Sequence, residues 1–440
     1  MPTPSTPSAG KLTESPRWSL PTVLSESRGL RYFTFFYLYA LQGIPAGFSL
    51  TALSNYLTAE SVKPQVIGAF VATVGLPWAF QFLWGPFIDR YQSSPMGRRR
   101  PWVLGSQLMA FLASLGLLLV QDPVTQTGLL ATTFLVHSVF ASVQDAGVDA
   151  MAISVIPESE RGRINAFMRA GFLGGTGFGA VVFAYLLRSE GFRVAALAQS
   201  GLLLALTVLT FFLRERPEDR LLPFGRKRPE PADRPPGRSY RWLFRELFRG
   251  LFSRRSLVLF GSILLVYISH SLFIRVFNFH LIRRLGWADT EVSVLTGTYG
   301  MLLAMGVSLL GGYLADWLGP RRLLIWVMLL TAVYLIGINA LASYWAERSF
   351  TRNALITWYI MDPCLSIAAM PVLMAICRKG VEGSQFTTYM ALVNFSDVTG
   401  SFVAGMALSR FSAPSIGLLA GGLVLGAIAV VGLASRYRIA

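Results

Sequence analysis

Charge is scarce in this chain of 440 residues: only 14% are Asp, Glu, Lys or Arg, against 53% hydrophobic. A soluble chain of this length carries about a quarter charged residues, so the deficit excludes an ordinary water-soluble protein. Cysteine is scarcer still. Cys364 and Cys377 fall in one apolar run and imply neither a disulfide framework nor a metal site. No Ser/His/Asp constellation, phosphate-cradling GxxxxGK[ST] loop or metal-spaced His/Cys cluster is legible, so no enzyme and no cofactor is expected. The N-terminal stretch to about Ser27, rich in Pro, Ser and Thr, lacks the apolar core of an export signal and is expected to be a disordered cytoplasmic tail, 1–30.

Acidic residues are outnumbered, giving a net charge of +16. The basic residues sit in short turns between apolar runs. A nucleic-acid-binding surface would instead gather them on one soluble face, so nucleic acid is not an expected partner.

What the chain has in abundance is long apolar stretches. A membrane span needs roughly 20 such residues to cross about 30 Å of hydrocarbon. Twelve runs meet or approach this length, near 31–53, 66–88, 101–120, 128–155, 164–187, 193–213, 256–282, 291–315, 321–343, 353–377, 384–409 and 413–436. The expected fold is an all-α membrane protein of twelve transmembrane helices in two six-helix halves. The N-terminal bundle covers 31–213, a cytoplasmic linker 214–255, and the C-terminal bundle 256–440. The linker is too charged and Pro-rich to cross a bilayer. Its last part, Tyr240 to Phe252, alternates aromatic or aliphatic residues with Arg, which fits an interfacial helix, while the rest also fits a solvated connection between the halves.

Loop charges orient the spans. Turns with Arg98, Arg99, Arg100; Arg161, Arg163; Arg321, Arg322; and Arg378, Lys379 fall on the linker's side, whereas Arg283, Arg284 and Arg348 are exceptions. This bias places both termini in the cytoplasm.

Two turns repeat. GPFIDRYQSSPMGRRR (Gly85 to Arg100) and GGYLADWLGPRR (Gly311 to Arg322) each join two apolar runs, set an Asp after Gly, and end in clustered Arg. A motif in corresponding places of two halves indicates internal duplication. Gly85, Asp89, Arg98, Arg99 and Arg100, with Gly312, Asp316, Arg321 and Arg322, are the candidate gating residues. Pro45, Pro77 and Pro363 fall mid-run and predict kinks. Gly171, Gly175 and Gly179 recur every fourth residue and predict a close helix-packing face, as do Gly417 and Gly421.

Ionisable side chains at membrane depth are costly and mark function. The fourth run carries VQDAGVDA, where Asp145 and Asp149 share one helix face. Both are proton-coupling candidates; Asp149, nearer the cytoplasm, alternatively latches onto an Arg of the first turn. The candidate solute-binding set is Gln42, Gln144, Asp145, Arg169, His270, Arg275, Asp362, Asn394 and Asp397. If runs one, four, seven and ten line one space, Gln42, Asp145, His270, Arg275 and Asp362 meet near mid-depth. Arginine there suits an anion, which guanidinium binds bidentately.

The turns resemble the signature of the major facilitator superfamily. LQGIPAG, VGLPWAFQFLWGPFIDRY, GRRRPWVLGSQ, SVQDAGVDA, IPESERG and GSQFTTYMALVN more narrowly resemble the peptide–acetyl-coenzyme A transporter family. The resemblance covers most of the membrane region and is most specific in the first half. It implies a proton-driven carrier importing a bulky anion such as an anhydro-muropeptide, in a bacterial inner membrane, with small-molecule solute, protons and lipid as partners, and a monomeric state. It also implies function for Gln144, Asp145 and Asp149 and gating for Asp89 and Arg98 to Arg100. The alternatives are a carrier of another amphipathic anion, acetyl-coenzyme A among them, or a non-transporting sensor or scaffold with the same fold.

Overall fold

The computed structural model describes residues 23–91, 94–157, 160–224, 240–378 and 382–436. Most of them are helical, and no β-structure beyond two isolated bridges occurs among the described residues. In hydrocarbon every unpaired amide costs several kcal/mol, so apolar runs of this length close their hydrogen bonds internally. The first half runs through α1 (Arg28–Ala46), α2 (Ser54–Ala59), α3 (Pro64–Ala79), α4 (Trp84–Arg90), α5 (Arg100–Leu115), α6 (Thr127–Val155), α7 (Arg161–Ser189) and α8 (Phe192–Phe211). The linker holds α9 (Tyr240–Leu251), and the second half continues through α10 (Arg254–Arg283), α11 (Asp289–Leu295), α12 (Met301–Leu318), α13 (Pro320–Ala340), α14 (Arg348–Ala375), α15 (Glu382–Ala407) and α16 (Ala413–Arg436).

Nine helical segments among the described residues are long and apolar enough to cross a membrane on their own. The runs predicted at 31–53, 291–315 and 384–409 are helical as well. The first is α1 continued through π-helical Gly47–Leu53 into α2; the eighth joins α11 to α12 through π-helical Thr296–Gly300; the eleventh is α15.

Proline shapes the rods without ending them at once. Pro45 lies inside α1, where the Ser49 hydroxyl donates to its carbonyl at 2.7 Å just before the π-helical turns take over. Pro77 stays within α3, and the helix gives way only at Phe80. Pro363 and Pro371 are both absorbed in α14. Tyr240 to Leu251 is helical, as the alternation of apolar residues with Arg predicts. Its Phe244 and Phe248 are exposed, while Glu246 pairs with Arg378 at 3.0 Å.

Each half builds its own apolar core. Phe273, Phe277, Trp345 and Trp358 anchor the second; Phe48, Phe70, Phe134 and Phe183 anchor one cluster of the first, and Leu38, Val103, Val148 and Ile164 another. The predicted glycine face is real. A Cβ on Gly171, Gly175 or Gly179 would stand 2.1, 2.3 and 2.2 Å from the carbonyl oxygens of Phe36, Ala40 and Ile44. α7 therefore lies directly on the backbone of α1, an approach only glycine permits. α1, α5, α7, α10, α13 and α15 begin at one end of the bundle, with the linker; this is the linker end, and the opposite one is the far end.

Candidate functional site

Between the halves lies a cavity of about 270 Å³. The first half contributes Leu50, Thr51 and Arg169, and the second His270, Arg275, Asn278, Trp358, Tyr359 and Asp397, with Tyr267 beside them. Its two arginines differ. Arg275 donates to the Leu50 carbonyl at 2.8 Å and to Ser401 Oγ at 3.3 Å, and stands 3.9 Å from Asp397. Its bond to Leu50 caps a carbonyl within the π-helical turn Gly47–Leu53, where the regular ladder is broken. Arg169 is exposed, and among the described residues it holds no hydrogen bond or ion pair. His270 is buried against the Trp358 ring, centroids 4.7 Å apart. Asn394 approaches the Trp78 carbonyl at 3.5 Å. Asp362 lies in α14 beside Pro363, which lines the cavity, but its side chain is outside the described residues.

The acid pair sits on α6. Asp145 accepts from Gln81 Nε2 at 2.6 Å, with Gln42 alongside. Asp149 is exposed and accepts from the Tyr39 hydroxyl. The latch expected between Asp149 and an Arg of the first turn is thus replaced by a bond to α1, because α1 presents Tyr39 to that face. Tyr39 lies within electrostatic reach of Asp145, Asp149 and Arg169 together.

The expected gathering of Gln42 and Asp145 with His270 and Arg275 in one space is corrected. Gln42 and Gln144 line a separate cavity of about 20 Å³ inside the first half. α6 packs against α5 and α3, so its polar face turns into its own bundle, and α7 takes its place at the central cavity through Arg169.

At the linker end the first turn is stitched to its own half. Glu215 accepts from the backbone N–H of Arg98 at 3.3 Å, of Arg99 at 2.7 Å, and of Arg100. Arg100 is 2% exposed and donates to the carbonyls of Phe211 and Arg220. Arg99 reaches the Ile88 carbonyl at 2.8 Å. Gly85 lies in α4; Gly312 and Asp316 lie in α12, but their side chains, like that of Asp89, are outside the described residues. Arg321 and Arg322 are exposed at the start of α13.

At the far end the halves hold each other. Arg188 donates to Asp289 at 3.1 Å and to Glu60 at 2.6 Å, Asn55 donates to Ser293 at 2.9 Å, and Arg283 bonds Ser61. Two glycine pairs allow this closure. A Cβ on Gly177 would meet the Gly297 carbonyl at 2.3 Å, and one on Gly405 would meet the Pro64 carbonyl at 2.5 Å and Gly68 Cα at 3.1 Å. Of these far-end residues only Arg283 stood out in the sequence, as an exception to the loop-charge bias, and Tyr39, Gln81, Gln107 and His137 did not. For the last three the signal was available: neutral polar side chains inside apolar runs.

Two six-helix halves around a polar central cavity define a multi-pass membrane carrier. The sequence model of the Major Facilitator Superfamily matches residues 32–404, and the chain belongs to that superfamily, among transporters rather than enzymes. It is 27% identical over 399 residues to the anhydromuropeptide permease of Escherichia coli K12, covering 87% of this chain and 76% of that protein. Two solved structures share the fold at a TM-score of 0.66. The nucleoside transporter NupG is 15% identical, with 91% of this chain and 99% of that one covered. The inward-open xylose transporter XylE from E. coli is 14% identical, with 91% and 95% covered.

Proposed function

We propose that this carrier imports a bulky anionic solute of the anhydromuropeptide class, coupled to protons, by exposing the central cavity alternately at its two ends. The observation that carries the reading is Arg169: a guanidinium facing the cavity between the halves, without a described partner, where a solute carboxylate can be held in two hydrogen bonds. Tyr267, half-buried in the wall, offers an aromatic face to a sugar ring, Asn278 supplies a polar contact, and the buried Trp358, Tyr359 and His270 back the wall. Gln42 and Gln144, in the first-half cavity, act on Asp145; Asn394, Asp397 and Asp362 remain solute candidates.

Proton coupling follows from the charges. An anion docked on Arg169 offsets a positive charge near Asp145 and Asp149, so solute and proton favour each other's binding. The linker end, with its arginine-rich turns, faces the cytoplasm in a bacterial inner membrane, with both termini on that side and the protein acting as a monomer. Residues 31–213 and 256–440 are the rocking units and 214–255 their tether. The repeated Gly–Asp–Arg turns gate the linker end.

The test is uptake of labelled anhydromuropeptide into proteoliposomes of oriented protein, with and without an acid-outside gradient. Gradient-dependent uptake is expected, lost in Asp145→Asn. In Arg169→Gln the KM should rise about 10- to 150-fold, the value of a charge-assisted hydrogen bond of about 1.5–3 kcal/mol. Uptake indifferent to a protonophore would remove the coupling. Active protein that carries acetyl-coenzyme A but no muropeptide would move the solute class.

A further inference from the structure

The 20 Å³ cavity of the first half is enclosed by α1, α3, α5, α6 and α8, and its polar lining lacks partners. Gln42, Gln107, His137 and Gln144 are 5%, 1%, 3% and 1% exposed. Both amide atoms of Gln107, His137 Nε2 and Gln144 Nε2 have no hydrogen-bond partner in the protein, while Gln42 turns its amide towards Asp145. Each buried polar atom left unsatisfied costs about 1–3 kcal/mol, so several in one place call for a bound group.

The chemistry of that group can be read from the lining. A carbonyl oxygen only accepts, so His137 Nδ1 carries the proton in its 3.0 Å bond to Ala110. Nε2 then presents a lone pair to the cavity and needs a donor, whereas the glutamine N–H groups need acceptors. Water does both. A water needs roughly 10–15 Å³ of such space and two to four polar partners, which this cavity supplies for one or two molecules.

We propose that the cavity is a resident water site, and that its waters act on Asp145 indirectly, by holding Gln42 beside its carboxyl group. Gln144 precedes Asp145 in the chain, and Gln42 stands next to its carboxyl group. The other groups facing Asp145 are Gln81, which donates to it, Asp149 one turn on, and Tyr39 with Arg169 within its reach. Substituting Gln107, which lies on α5, leaves all of these in place. The water site stands on geometry alone; its consequence for transport rests on the proton-coupled reading.

Two measurements separate these. Radiolytic hydroxyl labelling of the full chain in lipid nanodiscs marks side chains beside bound water. Phe134 lines the cavity, while Phe273 and Phe277 pack in the second half's core, and all three are at most 1% exposed. Phe134 should be labelled several-fold more than the other two, and Gln107→Leu should abolish the excess while Gln107→Asn keeps it. Equal labelling of the three in the wild type overturns the water site, with no variant required. In proteoliposomes, Gln107→Leu should shift the pH midpoint of gradient-driven uptake by half a unit or more, because Gln42 loses the waters that hold it against Asp145; Gln107→Asn should restore it. An unchanged midpoint in gradient-driven Gln107→Leu overturns the role assigned to the waters. Wild-type uptake without gradient dependence would defeat the coupling reading instead, and labelling would still decide the water site.

Discussion

The two ends of the molecule are fastened differently. At the far end, charged and polar side chains reach from one half to the other: Arg188 to Asp289, Asn55 to Ser293, Arg283 to Ser61. At the linker end, the strongest polar cluster, Glu215 with the amides of Arg98 to Arg100, ties the first turn to the segment that follows α8. Between described residues, the hydrogen bonds that cross the halves lie from mid-depth, at Trp78 and Leu50, to the far end. Breaking a far-end contact therefore changes the balance between states, while breaking the linker-end cluster changes the stability of one half.

The largest shift is expected from Gly177→Val. Its Cβ meets backbone on the opposing half at 2.3 Å, and a rigid carbonyl cannot give way as a side chain would. Overpacking costs about 1–3 kcal/mol, which opens the far end roughly 5- to 150-fold. The reporter is Thr58→Cys, at a far-end position 4% exposed, in a chain with Cys364 and Cys377 replaced by Ser. Its labelling by a membrane-impermeant maleimide should accelerate by that factor. An unchanged rate would mean that the glycine contact does not set the closure. Arg188→Ala comes next. It strands Asp289, 5% exposed, without its cation; because Arg188 is itself partly exposed, about 1–2 kcal/mol is expected, or roughly 5- to 30-fold in labelling. Adding Asp289→Asn should recover part of the loss, and purely additive effects would deny that the two residues act as a pair. Asn55→Ala removes one neutral hydrogen bond worth about 1 kcal/mol, so roughly fivefold faster labelling is the ceiling.

The comparison also explains what the sequence made legible. Twelve apolar runs became helix because hydrocarbon leaves the backbone no other partner, and the spacing of Gly171, Gly175 and Gly179 sufficed to foresee a face that touches α1. Two of the charges that break the loop-charge rule have partners at the far end: Arg283 bonds Ser61 across the halves, and Arg348 pairs with Glu291 within the second half at 2.6 Å. Which polar side chains meet was not legible, since that depends on the rotation of each rod. Arg169 and Arg275 look alike as single arginines in apolar runs, yet one faces the cavity free of described partners and the other caps a π-helical carbonyl. Likewise Gln42 and Gln144 line a different cavity from His270, with Leu50 in the wall of both, and α6 turns Gln144 into its own bundle.

The smallest effect on state balance belongs to Glu215→Gln, and it is the sharpest check of the contrast between the ends. Glu215 is 2% exposed, and Gly97, at a φ of +119°, brings the turn so close that a Cβ there would stand 2.8 Å from its carboxyl oxygen. Burial raises its pKa above the ordinary glutamate value of 4.5, against the opposing pull of the three backbone N–H donors. The folded chain then binds this proton more tightly than the unfolded chain does. The stabilisation it contributes is complete below about pH 4.5 and is lost as pH rises through the folded-state value. Glutamine cannot ionise, so the difference in melting temperature between wild type and Glu215→Gln should change with pH from about 4.5 upward, while Thr58→Cys labelling stays at the wild-type rate. Melting curves that run parallel across that range would remove the titration. Accelerated labelling would show that the linker-end cluster reaches across the halves after all.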